Sequence, residues 1–169
     1  MTPPAMTQRF PGDRLVLEGY RSWMAAGTTD EGGGGQAGPG LQSLVLHATD
    51  RRMVTDGLAG FIHALSHCAT CPLAFHDNVN DGSGEPACHD EGLVLALVSA
   101  LQYGMEDTAF LCATALACPR LAGSLICAAG DCALRLKACG QWLTPVSRDT
   151  VTGLIMAKAR ASIAATTVH

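Results

Sequence analysis

From Gly92 to Met105 the chain carries no charge, and Leu93, Val94, Leu95, Ala96, Leu97 and Val98 follow one another without a polar break. A helix over this stretch is apolar all round, so it has no face to offer to water. It is too short to cross a bilayer, which needs about 20 apolar residues. The stretch must therefore be wrapped by other elements of the chain. Aromatic residues make up only 5% of the sequence, so the wrapping is built mainly from Ala, Leu, Val, Met and Cys. That composition favours closely packed helices over a sandwich rich in β-branched and aromatic residues.

The rest of the chain supplies helices at the right spacing. Asp13 to Ala26 places Val16, Tyr20, Trp23 and Met24 on one face, and Gly27 follows as a stop. Residues 28–40, TTDEGGGGQAGPG, read as a flexible linker. Leu41 to about His67 is helical, with Leu41, Leu44, Val45 and Ala48 on one face and Leu58, Phe61, Ile62 and Leu65 on another. Asp50-Arg51-Arg52, Gly57 and Gly60 are expected to divide it in two. Residues 68–88 are expected to be irregular.

Asp90 and Glu91 open the apolar helix, where their charge suits the N-terminal end of the helix dipole. Gly104 stops it. Glu106 and Asp107 start the next helix, running to about Ala117. Pro119 is expected as the first residue of a fifth, which Gly140 ends, with Leu125, Ala128, Cys132, Leu136 and Cys139 facing inward. A last helix, about Asp149 to Ala165, carries Val151, Leu154, Ile155 and Ile163 on one side. The fold expected is all-α, a single-domain bundle of five or six helices over residues 1–169, interrupted by an irregular Cys/His-containing loop.

Several function classes are excluded by composition. Mean hydropathy is +0.21 and charged residues are only 15%. Yet the other long apolar stretch, Thr108 to Gly130, has Pro119-Arg120 at its centre, so no membrane span is expected. No apolar run precedes Asp13 and Glu18 at the N-terminus, so the expected location is cytoplasmic. Net charge is −4, with two lysines and no basic cluster beyond Arg51-Arg52. Nucleic acid is not an expected partner. The low surface charge instead points to a protein partner or to self-association.

The candidate chemistry lies in HALSHCATCPLAFHDNVNDGSGEPACH, which holds His63, His67, Cys68, Cys71, His76, Cys88 and His89. Cys68 and Cys71 form a C-x-x-C pair, a common way to bring two thiolates to one tetrahedral metal. With Cys88 and one histidine, His89 or His76, they make the three-Cys, one-His shell of structural zinc. The set has no open position, so it describes a clip closing a polar loop and not a catalyst. Adjacent Cys88-His89 departs from the usual two-ligand knuckle.

Thiol redox chemistry is a second use of C-x-x-C. It needs the pair at a helix N-terminus, and here the apolar periodicity precedes it. An iron–sulfur cluster would draw on Cys112, Cys118, Cys127, Cys132 and Cys139, whose spacings match no common cluster run. Those five read as small core hydrophobes, with Cys132 and Cys139 on one face.

Other motifs fail on inspection. GGGQAG at 33–38 satisfies G-x-G-x-x-G but follows polar residues and not a strand. A calcium loop from Asp77 would need oxygen ligands at Val79 and Cys88. His63 and His67 lie one turn apart without the glutamate of a zinc protease, and suit a helix end. No nucleophile elbow or Ser/His/Asp set is present, so nothing argues for an enzyme. Three readings remain: a helical binding or regulatory module with a zinc clip at 68–89, a thiol-redox or iron–sulfur protein, and an interaction protein whose cysteines only pack.

Overall fold

A computed structural model describes residues 10–27, 47–70, 72–75 and 88–166. The described residues form six helices: α1 (Pro11–Gly27), α2 (Ala48–Cys68), α3 (His89–Gln102), α4 (Glu106–Leu116), α5 (Ala122–Ala138) and α6 (Arg148–Thr166). Among the described residues there is no strand, only an isolated antiparallel bridge between Ala69 and Ala117. The protein is an all-helical bundle. No helix of the described residues is long and apolar enough to cross a membrane.

The apolar helix is the axis of the bundle. Every residue of α3 from Asp90 to Ala100 is buried, and the helix packs against α1, α4, α5 and α6. Each Leu or Val enclosed in this way contributes about 1.5–3 kcal/mol of transfer free energy. The α2–α5 contact is just as close: a Cβ at Gly57 would lie 2.6 Å from Cδ of Arg135. Glycine there is a packing device, so α2 runs unbroken through Gly57 and Gly60 and is not divided in two.

Two of the three glycines expected to end helices, Gly104 and Gly140, do so by one mechanism. Gly104 has φ +70° and Gly140 φ +69°. After α3, Gly104 N–H reaches Leu101 O and Met105 N–H reaches Ala100 O. After α5, Gly140 N–H reaches Lys137 O and Gln141 N–H reaches Leu136 O. These are Schellman caps, which need a left-handed residue that glycine adopts without a Cβ penalty.

The α5–α6 connection is strapped to α1 and to the end of α3. Ser99 Oγ donates to Thr144 O at 2.8 Å, Gln102 Nε2 to Gln141 O at 3.0 Å and Tyr103 OH to Leu143 O at 3.0 Å. Asp13 accepts from Thr144 N–H at 2.9 Å, so the first turn of α1 is fixed by a residue 131 positions away.

Four details differ from the sequence expectation. Pro119 lies in the turn before α5, which begins at Ala122. The inner face of α5 is rotated, with Ala129 and Ala133 buried while Ala128 and Cys139 are half-buried. Ile163 is 68% exposed, because α6 meets α3 and α4 through its earlier turns, at Val151, Leu154 and Ile155. Cys112 and Cys132 are fully buried core residues, but Cys118 and Cys139 are half-buried and Cys127 is exposed. Leu41, Leu44, Val45 and the 28–40 linker lie outside the described residues.

Burial in the apolar interior raises the thiols of Cys112 and Cys132 from 9.0 to about 12. In the unfolded chain they ionise near 9, so between pH 9 and 12 the unfolded state holds fewer protons than the folded one. Stability should therefore be level below pH 9 and fall as pH rises towards 12. Urea unfolding in reductant at pH 8 to 11 should show this decline. The slope should become shallower in a Cys112→Ala/Cys132→Ala variant, whatever its baseline stability.

Candidate functional site

The connection between α2 and α3 begins after Cys68 and ends at Cys88, and 69, 70, 72–75 and 88 are its described residues. Cys68 is the last residue of α2 and is 6% exposed. Its carbonyl accepts from Cys118 N–H at 3.1 Å, beside the Ala69–Ala117 bridge. Leu73 is buried in the core, which draws the segment 72–75 against the bundle. Cys88 then caps the start of α3 in extended conformation, and His89 is the first helical residue; both are half-buried.

Beneath this connection lies a cluster of polar groups that the sequence did not mark. Tyr20 OH donates to Ala74 O at 2.9 Å, and Cys88 Sγ donates to the same oxygen at 3.3 Å. Ala74 N–H donates to Asp90 Oδ2 at 2.8 Å. Both backbone polar groups of one residue are thus held by side chains from α1 and α3.

The other oxygen of Asp90 lies 2.8 Å from Nζ of Lys158 on α6, and that ammonium also donates to Ala115 O on α4 at 3.1 Å. One helical position on, Glu91 pairs with Arg21. Arg21 Nε and an Nη each lie 2.9 Å from a separate carboxylate oxygen, with the two residues 1% and 0% exposed. This two-pronged geometry matches the flat guanidinium to the carboxylate and suits a buried pair.

Asp90 and Glu91 read from sequence as charges favouring the helix dipole. They are also interior residues with named cationic partners. Their position at the start of α3 still suits the dipole, but α1 and α6 enclose them. The cluster also sets the local acidities. Burial first, and then the negative potential of Asp90, Cys88 and Glu91, raises the Tyr20 phenol well above its ordinary value. Burial likewise raises the Cys88 thiol, and Glu91 and Asp90 add to this while their backbone N–H groups pull the other way. A raised thiol is a poor nucleophile at neutral pH.

The expected metal ligands divide between what is described and what is not. Cys68, Cys88 and His89 are placed; Cys71 and His76 lie outside the described residues. Among the described residues no three His, Cys, Asp or Glu side chains gather as a metal-holding group. His63 and His67 are exposed near the end of α2, their rings edge-on at 4.4 Å.

Missed from sequence are Arg21 and Lys158, the polar role of Tyr20 beside its packing one, and the interior role of Asp90 and Glu91. Their sequence separations, 70 positions for Arg21 and Glu91, leave no local pattern to detect. The one available hint was the placing of Arg21 directly after the core residue Tyr20. Comparison of the chain with known protein families, with curated proteins and with solved structures finds no match.

Removing one partner of a buried pair strands the other charge, at a cost of about 3–5 kcal/mol, whereas replacing both with apolar residues is often tolerated. Arg21→Met alone should lose stability on this scale. Arg21→Met combined with Glu91→Leu should lose less than the single change. Urea unfolding of the three chains checks this, and additive losses would contradict the pairing.

Proposed function

We propose that this chain is a small helical binding or regulatory module whose working element is the connection between α2 and α3. The observation that carries this reading is the fixation of Ala74, whose N–H and C=O are both held by side chains of the bundle. Binding segments are commonly presented as loops on rigid supports, and their precision comes from the groups beneath them. Here the support is ionic and buried, while the connection itself is polar in sequence. Exposed Phe110, Leu134, Met156 and Ile163 favour a protein as the ligand class, a partner or a second copy.

Within that module we assign zinc to the connection, with Cys68, Cys71, Cys88 and His76 as its ligands. Three thiolates and an imidazole match the preferences of a structural zinc site. The form that uses His89 would need Cys68, Cys88 and His89 together, and no such group is gathered. Zinc would also replace the thiol proton of Cys88, which burial otherwise helps the thiol retain. An iron–sulfur cluster with four cysteines would need at least three of the seven described ones together, so that alternative lacks support.

Reduced, chelator-treated protein should take up one zinc per chain, measured by elemental analysis after gel filtration. Cys71→Ser and His76→Ala should each release it without changing the helical circular dichroism. Failure of the wild-type chain to retain zinc would overturn the metal assignment.

A further inference from the structure

We propose that Cys68 and Cys118 are the two halves of an oxidisable thiol pair, closed to a disulfide by an oxidant of the peroxide class. The argument starts from the backbone. Ala69 and Ala117 form the one β-bridge of the described residues, and it is antiparallel. Stepping back one residue from Ala69 and forward one from Ala117 sets Cys68 opposite Cys118. Their backbones are joined there by the Cys118 N–H to Cys68 O hydrogen bond at 3.1 Å.

Cys68 closes α2 and Cys118 follows α4, so the two residues meet at a single backbone hydrogen bond beside the bridge and not within a continuous ladder. Disulfides span Cα separations of about 4.4–6.8 Å. Two cysteines 50 positions apart in sequence are thus set side by side, backbone to backbone, by the meeting of two helix ends, α2 and α4.

Exposed Cys127 has no cysteine joined to its backbone as Cys118 has, and the other described thiols are enclosed or engaged elsewhere. Cys112 and Cys132 are wholly enclosed. Cys88 is engaged with Ala74 O, and Cys139 lies 3.8 Å from Asp50 O. Within the pair, half-buried Cys118 is the more accessible to solvent, while Cys68 is 6% exposed.

The chemistry balances in two steps. The Cys118 thiolate attacks hydrogen peroxide, the O–O bond breaks, and a sulfenic acid and water result. The Cys68 thiolate then attacks that sulfur, the S–O bond breaks and a second water leaves. Two thiols lose two electrons and two protons, and one peroxide is reduced. The product ties the end of α2 to the end of α4. It would also withdraw Cys68 from any zinc, yet the pair itself does not rest on the zinc assignment.

The test is disulfide mapping of reduced, chelator-treated full-length protein after one equivalent of hydrogen peroxide. Met53 to Arg120 contains no Lys and ends at the next Arg, so trypsin leaves it whole. A protease cutting before Asp separates residues 56–76 from 107–130. The expected product is these two peptides joined and two hydrogens lighter than their sum. It should be abolished by Cys68→Ala and by Cys118→Ser, and retained in Cys71→Ser and Cys127→Ser. Cys118 is not a core residue, so its variant stays informative even if Cys68→Ala folds poorly. A Cys68–Cys71 link, a link lost only in Cys71→Ser, or Cys118 ending as sulfinic acid beside a free Cys68 would overturn the proposal.

Discussion

The Arg21–Glu91 pair is the constraint around which the rest of the molecule is arranged. Two opposite charges at 1% and 0% exposure are tolerated only if each finds the other in good geometry. That condition fixes α1 against the first turn of α3, in one rotation and at one height. Tyr20, the neighbour of Arg21, then reaches Ala74, while Asp90, the neighbour of Glu91, meets Ala74 from the other side. Lys158 completes the arrangement by joining α6 and α4 to the same aspartate. A hydrophobic contact could hold these helices together, but it would not specify which residue faces which.

This arrangement alters the rationale for a metal. From sequence, the polar stretch between Cys68 and Cys88 has no support of its own, and zinc is the natural way to close it. In the structure the base of the connection is already closed, by Ala69 on Ala117 and by Ala74 on Tyr20 and Asp90. Zinc would then act on a connection whose root is also held by protein groups. That suits an element that binds or responds, more than one whose fold waits for the ion.

The helices were legible because their signals are local. An unbroken apolar run requires burial on all sides, and α3 has it. Gly104 and Gly140 supply the left-handed residues that two Schellman caps require. Gly57 misled, since the same missing Cβ that weakens a helix also lets α2 approach α5. The polar root was not legible. A charge at a helix start reads as a dipole partner unless its counter-ion is known, and Arg21 and Lys158 lie far from Asp90 and Glu91 in sequence. The pairing of Cys118 with Cys68 was hidden for the same reason, because only the meeting of two helix ends brings them together.

The central claim is that side chains of the bundle root the α2–α3 connection at Ala74. Amide hydrogen exchange of the reduced, zinc-free protein reads this directly at one residue. The account predicts that the Ala74 amide, bonded to Asp90, exchanges far more slowly than an unstructured peptide amide. Exchange at the unstructured rate, with α3 still protected, would contradict it.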